Sequence, residues 1–346
     1  MHMADALISP VVGGVMWGVT GGTLTWCVRG LSRSLSERRV PLMGITGAFV
    51  FTAQMVNFAI PGTGSSGHIG GGLLLSVLLG PQAAMVVMAS VLAVQALFFA
   101  DGGLLALGCN VFNMGFLPAC VAYPLLYRPL ARGARSGGRL GFASVAAAVA
   151  GLQLGALGVV LQTAASGISD LPFRAFVMLM QPIHLAIGVV EGVATAAVLT
   201  AVARTAPELA GQGEKPSAKQ AGVRWTVMAA WGAVCVLLGG VISWFAATRP
   251  DGLEWAVGKT TGGQELAERA DRVTQGLAAV QTRTAFLPDY GFKRAGDAAD
   301  EAQKAPAVSW PAADAGTSVS GLVGGGVTCG LAALIGFLLR RRRIAV

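Results

Sequence analysis

Long apolar runs with almost no charge recur along the chain, at about 10–28, 41–59, 69–100, 104–127, 140–166, 173–203, 225–247 and 318–339, and they limit its fold more than any other feature. A helix needs about 20 apolar residues to cross the hydrocarbon of a bilayer. Inside that hydrocarbon each backbone polar group must find its partner within the protein, which a helix does along its own length. Charged residues make up 12% of the 346-residue sequence, half the roughly 25% of a soluble domain, so a cytosolic globule is excluded. The 49 glycines and the Ala-rich runs suit helices that pack backbone to backbone in lipid. The expected fold is an all-α integral membrane protein, a polytopic helix bundle.

Charge sets the topology. The net charge of +8 is carried largely by short clusters between the apolar runs: Arg29, Arg33, Arg38 and Arg39; Arg128, Arg132, Arg135 and Arg139; Arg204, Lys215, Lys219 and Arg224; and Arg340 to Arg343. Such clusters mark cytoplasmic ends by the positive-inside rule and argue against a nucleic-acid partner. Read as one span, 69–100 would put the second cluster opposite the first; broken at Gly80-Pro81, it puts all four on one side. Pro81 favours the break, because it disrupts a helix and biases the residue before it away from helix. The chain is therefore expected to form about seven membrane segments over 1–203 and a cytoplasmic linker over 204–224. A two-helix membrane module over 225–346 follows, with an outer loop at about 248–317 carrying one amphipathic helix near 263–283 and otherwise loosely ordered. The protein is placed in the cell membrane, in contact with lipid, with an extracytoplasmic N-terminus and a cytoplasmic C-terminus. The N-terminal sequence lacks a basic region and a cleavage site, so no signal peptide is expected. Cys27, Cys109, Cys120, Cys235 and Cys329 lie in apolar runs without CxxC spacing, as inert buried thiols do.

Polar residues kept in such a chain point to function, because a mid-bilayer charge costs a few kcal/mol. Glu191 is the one acid well inside a run, while Asp170 and Arg174 sit at a segment edge. Of three histidines, His184 precedes Glu191 by seven residues, on the same helix face. It reads as a hydrogen-bonded structural group beside that acid. His2 and His68 read either as solvated groups or as ligands, and both fall on the outer side of this topology. A His at position two offers a chelate of the terminal amine of Met1, the His2 backbone nitrogen and its imidazole Nδ1. His68, at the end of the Gly-rich loop, would add a fourth nitrogen. Square-planar nitrogen coordination suits Ni(II) or Cu(II), with Co(II) possible.

Three other motifs fail on context. Gly62-x-Gly64-x-x-Gly67 matches a dinucleotide fingerprint but follows a membrane helix and no strand. Gly258-Lys259-Thr260 lacks the first glycine of a phosphate loop, since position 253 is Leu. Gly64-Ser65-Ser66-Gly67 matches the GxSG of intramembrane serine proteases, with His184 as base. That hydrolase, using Ser66 and His184, is the alternative function.

Several strings taken together resemble the NikM/CbiM family: Met1-His2 leading to Ser9-Pro10, Gly64-Ser65-Ser66-Gly67-His68, Asn110-Val111-Phe112-Asn113-Met114-Gly115, and His184-Leu185-Ala186-Ile187 to Glu191-Gly192. Its members are the substrate-specific membrane components of energy-coupling-factor transporters for nickel and cobalt. Pro250-Asp251-Gly252-Leu253-Glu254 resembles the PDGLE signature of the NikN/CbiN accessory subunit, so the chain is similar to a fusion of the two. The resemblance implies that Met1, His2 and His68 hold the metal, and that Asn110, Asn113, His184 and Glu191 orient those ligands or pack helices. It also implies a transporter subunit, not an enzyme, with Ni(II) or Co(II) as transported ion and no resident cofactor. Partner subunits, a coupling transmembrane protein and ATPases, would supply the energy. After the acid at position 5 the family more often has glycine; here it is Ala6.

Overall fold

The computed structural model describes residues 1–36, 39–133, 137–169, 171–205, 220–263, 271–293 and 310–344. Most of the 204–224 linker, Arg38, Arg135, Asp170 and the loop stretches 264–270 and 294–309 lie outside the described residues. The described residues are helical almost throughout. The helices are α1 (Pro10–Ser34), α2 (Arg39–Gln54), α3 (Gly72–Leu79), α4 (Pro81–Phe99), α5 (Leu107–Val111), α6 (Arg128–Ala131), α7 (Gly137–Ser166) and α8 (Phe173–Thr205), then α9 (Gln220–Gly240), α10 (Gly252–Thr261), α11 (Arg272–Thr284) and α12 (Ala315–Ile344). Among the described residues, six helical stretches are long and apolar enough to cross a membrane: α1, α4, Leu107–Ala131, α7, α8 and Ala315–Arg341. The apolar stretch of α9, Trp225–Gly240, is shorter, as are the 16 residues of α2 and the 8 of α3. The outward faces of these helices are apolar. Val11, Trp26, Phe142 and Met178 are all more than half exposed, which suits a lipid-facing surface.

The break at Gly80-Pro81 is present. Gly80 adopts φ 82°, a left-handed conformation that glycine tolerates, and Pro81 opens α4 where its missing N–H is not needed. Between α5 and α6 the chain winds as a π-helix over Phe112–Tyr127, a run that contains Pro118 and Pro124. These prolines cannot donate to an ordinary α-helical ladder, and wider winding is one way to carry them. Glycines set the helix contacts. A Cβ at Gly188 would lie 2.8 Å from Val149 Cα and one at Gly192 2.3 Å from Val145 Cα, so α7 and α8 run antiparallel with backbones almost touching. Gly239 and Gly321 do the same for α9 and α12. With successive long helices alternating in direction, the described residues of all four basic clusters fall at one end of the bundle. Met1, the loop before α3 and the loop after α4 fall at the other.

Three expectations need correction. The second run yields a helix only to Gln54, because the chain then turns into a short antiparallel pair, β1 (Phe58–Ala59) with β2 (Ser66–Gly67), in register Phe58 to Gly67. The amphipathic helix does not begin at 263: Gly262 and Gly263 have positive φ and close α10, and α11 starts at Arg272 with Asp271 as its cap. The PDGLE segment, read as loosely ordered, is instead a capped helix. Asp251 Oδ1 accepts from the N–H groups of Leu253 and Glu254, and Glu254 accepts from Asp251 N in return, a reciprocal capping box. α10 packs on α8 with Gly252 close against Ile183, and Leu253 is 2% exposed.

Candidate metal centre

The first eight residues form an arm seated in the mouth of the bundle, with Met1 and Met3 buried. Asn110, on α5, reads the arm's backbone as a strand would: its Oδ1 accepts from Met3 N at 2.8 Å and its Nδ2 donates to Met3 O at 3.2 Å. Gly103 N donates to the same carbonyl at 2.9 Å, and Asp5 accepts from Ala106 N at 2.9 Å. The amino terminus is thereby fixed beside the loop that bears His68.

Two carboxylates hold the arm's nitrogens. The amine of Met1 donates to Asp251 Oδ2 at 3.0 Å. His2 Nδ1 lies 2.7 Å from Asp101 Oδ1, in the loop after α4. The imidazoles of His2 and His68 stack with centroids 5.2 Å apart and planes 25° from parallel. His68 Nδ1 faces the carbonyl of Ile69 at 3.0 Å. A carbonyl only accepts, so the hydrogen sits on Nδ1 and Nε2 carries the lone pair. Burial, followed by the positive amino terminus and His2, lowers the His68 pKa to about 4, so this ring is a neutral donor at physiological pH. Asp101 shows the opposite balance: burial raises its pKa, but His2, the Tyr290 hydroxyl and His68 together bring it down to about 2. Burial also raises Asp251, yet the amino terminus and the backbone of the capping box hold it well below the usual carboxylate range.

The second module builds part of this mouth. Asp251 belongs to it, and so does Tyr290, whose hydroxyl donates to Asp101 Oδ2 while its ring stacks on Phe99. Gln281 of α11 donates to the carbonyls of Ala96 and Gly102, on either side of Asp101. Ser66 N and Oγ donate to the carbonyls of Pro250 and Arg249, which sews the His68 loop to the PDGLE segment.

The structure thus brings Met1, His2 and His68 together, with Asn110 supporting the arm. Asn113 exchanges two amide hydrogen bonds with Gln162 of α7, and its Nδ2 also reaches Met3 Sδ of the arm at 3.9 Å. His184 and Glu191 share a face of α8 without a hydrogen bond between them. Glu191 accepts from Gly70 N at 2.6 Å and Gly71 N at 3.2 Å, and His184 Nδ1 faces the carbonyl of Met180 at 2.8 Å. Met1, His68, His184 and Asp251 line one small cavity. Among the described residues no three His, Cys, Asp or Glu side chains form a metal cluster. The candidate set differs in kind, since two of its four nitrogens are backbone atoms. Sequence reasoning missed Asp101, Asp251 and Tyr290 as parts of the site. The available signal was two isolated acids, Asp101 and Asp251, on the side that the sequence is expected to place outward.

The bundle and the arm seated in its mouth define a multi-pass membrane protein of the metal-transport class. It belongs to the CbiM family: residues 2–209 match the family described as the cobalt uptake substrate-specific transmembrane region, and residues 225–341 match the PDGLE domain. A Haloquadratum walsbyi protein named as a metal transport protein is 35% identical over 209 residues, covering 60% of this chain and 93% of its own length. The fused nickel transport protein NikMN of Rhodobacter capsulatus is 33% identical over 251 residues, 68% of this chain and 72% of that one. A crystal structure of a truncated transition metal transporter superimposes with a TM-score of 0.51 and 31% identity, covering 59% of this chain and 99% of its own. The hydrolase alternative gains no support from these relatives or from the geometry, where the Ser66 hydroxyl is spent on a carbonyl.

Proposed function

We propose that the chain is the ion-capturing component of an ATP-driven energy-coupling-factor importer for Ni(II), Co(II) or both. The ion would be held by the Met1 amine, the His2 amide nitrogen and imidazole, and the His68 imidazole. The observation that carries this reading is the seating of a buried amino terminus and the His2 ring against a neutral His68. Forming the chelate requires the amine and His2 Nδ1 to turn from Asp251 and Asp101 toward the ion. A divalent ion that displaces one hydrogen from the amine and one from the amide leaves the charge of the site where it was. The two carboxylates therefore balance the loaded site as they balance the ammonium.

Capture at the outer face follows from the basic clusters at the opposite end of the bundle. The sequence carries no nucleotide-binding motif in a workable context, so the energy is assigned to partner ATPase and coupling subunits. Residues 1–203 would form the ion-binding unit and 225–346 a module that completes its mouth, joined by a cytoplasmic linker over 204–224. The test is titration of the purified full chain, with its native first residue, against Ni(II) and Co(II). Residues that merely orient a ligand are worth about 10–100-fold in affinity, so His2→Ala and His68→Ala should each weaken binding by more than about 100-fold. Unchanged affinity in either variant would remove that residue from the site.

A further inference from the structure

We infer that His184 is a second station for the transported ion, beside the amino-terminal chelate and reached from His68 through the cavity they share. The inference rests on the function proposed above. His184 lies on α8 with 0% exposure. Its Nδ1 is bound to the carbonyl of Met180, one turn earlier on its own helix, at 2.8 Å. That acceptor fixes the hydrogen on Nδ1 and leaves the lone pair on Nε2. Nε2 is buried and has no hydrogen-bond partner. An unsatisfied buried polar atom is costly, about 1–3 kcal/mol, and calls for a reason.

The surroundings supply one. Because Nδ1 turns back to its own helix, the opposite edge of the ring faces away from it. Its Cε1 would lie 3.4 Å from a Cβ at Gly252, and Gly252 and His184 line the cavity shared with Met1, His68 and Met114. His68 has the same arrangement, its Nδ1 tied to a backbone carbonyl and Nε2 left as the donor atom. One cavity therefore joins two imidazoles that each offer a lone pair, a donor type that suits Ni(II). Exchange of the ion between two such rings moves no proton, because each already carries its hydrogen on the other nitrogen.

Two turns further along α8, Glu191 ties down the amides of Gly70 and Gly71, so the His68 loop is fixed against the same helix that carries His184.

The test uses Co(II) and the full chain with its native amino end. His184→Asn keeps a side-chain N–H near the Met180 carbonyl and removes the Nε2 donor. In an otherwise unaltered chain it should weaken high-affinity binding by less than the loss of more than about 100-fold expected of His68→Ala. In a His2→Ala background, where the chelate is gone, a weaker Co(II) site should remain, and adding His184→Asn should weaken it at least about tenfold. In the same background His184→Cys should add a sulfur-to-cobalt charge-transfer band, a gained signal that does not depend on how well the Asn variant folds. Four results would each overturn the inference: no residual site in His2→Ala, a residual site indifferent to His184→Asn, absence of the band, or His184→Asn alone as damaging as His68→Ala. The last result would place His184 in the first site, and the first would leave the cavity holding water only. Tight binding that survives His2→Ala would instead defeat the proposed chelate, a different failure read from a different variant.

Discussion

Replacing Gly252 by alanine probes how the second module holds the mouth together. A Cβ at this position would lie 2.6 Å from Ile183 Cγ2, well inside contact distance. Ile183 is 2% exposed and β-branched on a helix, so its χ1 is nearly fixed and it cannot swing aside. Forcing a methyl group into such a contact typically costs about 1–3 kcal/mol. If that cost falls on the docking of α10, the docked fraction drops by about 5- to 150-fold relative to the undocked one. Gly258 is the control, because a Cβ there meets nothing within 4 Å and alanine favours the helix. Hydrogen exchange of the amides in 251–261, followed by mass spectrometry on the detergent-solubilised chain, reads the opening directly. Gly252→Ala should accelerate exchange by that factor, while Gly258→Ala should leave it unchanged or slower. Equal exchange in Gly252→Ala and the unaltered chain would mean that α10 does not depend on this contact, and the placing of Asp251 by close packing would be refuted.

Asp251→Asn keeps a good helix cap but removes the charge facing the amine, and Ni(II) affinity should fall about tenfold, near 1.4 kcal/mol; unchanged affinity would show that the carboxylate does not seat the arm. Tyr290→Phe retains the ring stack on Phe99 but deletes the hydroxyl bound to Asp101. A hydrogen bond to a charged group is worth about 1.5–3 kcal/mol, so the melting temperature should drop, and an identical melt would speak against the contact. His68 titrates near 4 in the fold, against about 6.5 when unperturbed. Between these values an unfolded chain takes up a proton that the folded one refuses, so acidification from pH 6.5 to 4.5 should destabilise the fold, by less than about 3 kcal/mol because the ring is partly exposed. His68→Gln should show a smaller loss over the same range, measured by thermal melting at the two pH values.

Much of the bundle is legible in the sequence because membrane helices obey a one-dimensional rule of length and polarity. Pro81 marks a true break for a reason local to the chain, the loss of an N–H. The end of α2 at Gln54 escapes that rule, since the mostly apolar residues 55–59 serve a hairpin in the mouth as well as they would a helix. At the site, His2 and His68 stand out because histidines are few, and the family resemblance names them. Asp101 and Asp251 do not stand out, because their importance lies in pairings with residues 99 and 250 positions away. The same holds for Tyr290, whose partner Asp101 sits in the other module. Asp251 could be seen only as part of a signature. Its two oxygens serve two tasks, one capping α10 and one holding the amine, and that division is visible only in three dimensions. The unpaired Nε2 of His184 is likewise a property of packing, with no trace in spacing or composition.

The central claim is that the amino end itself is a ligand. It is tested most directly by Ni(II) titration of the purified full chain with its native Met1 against the same chain extended by one glycine before Met1, with X-ray absorption of the nickel-loaded samples. The native chain should bind tightly with an all-nitrogen inner sphere, and the extended chain should lose more than about 100-fold in affinity. Equal affinity and equal spectra in the two chains would contradict the claim.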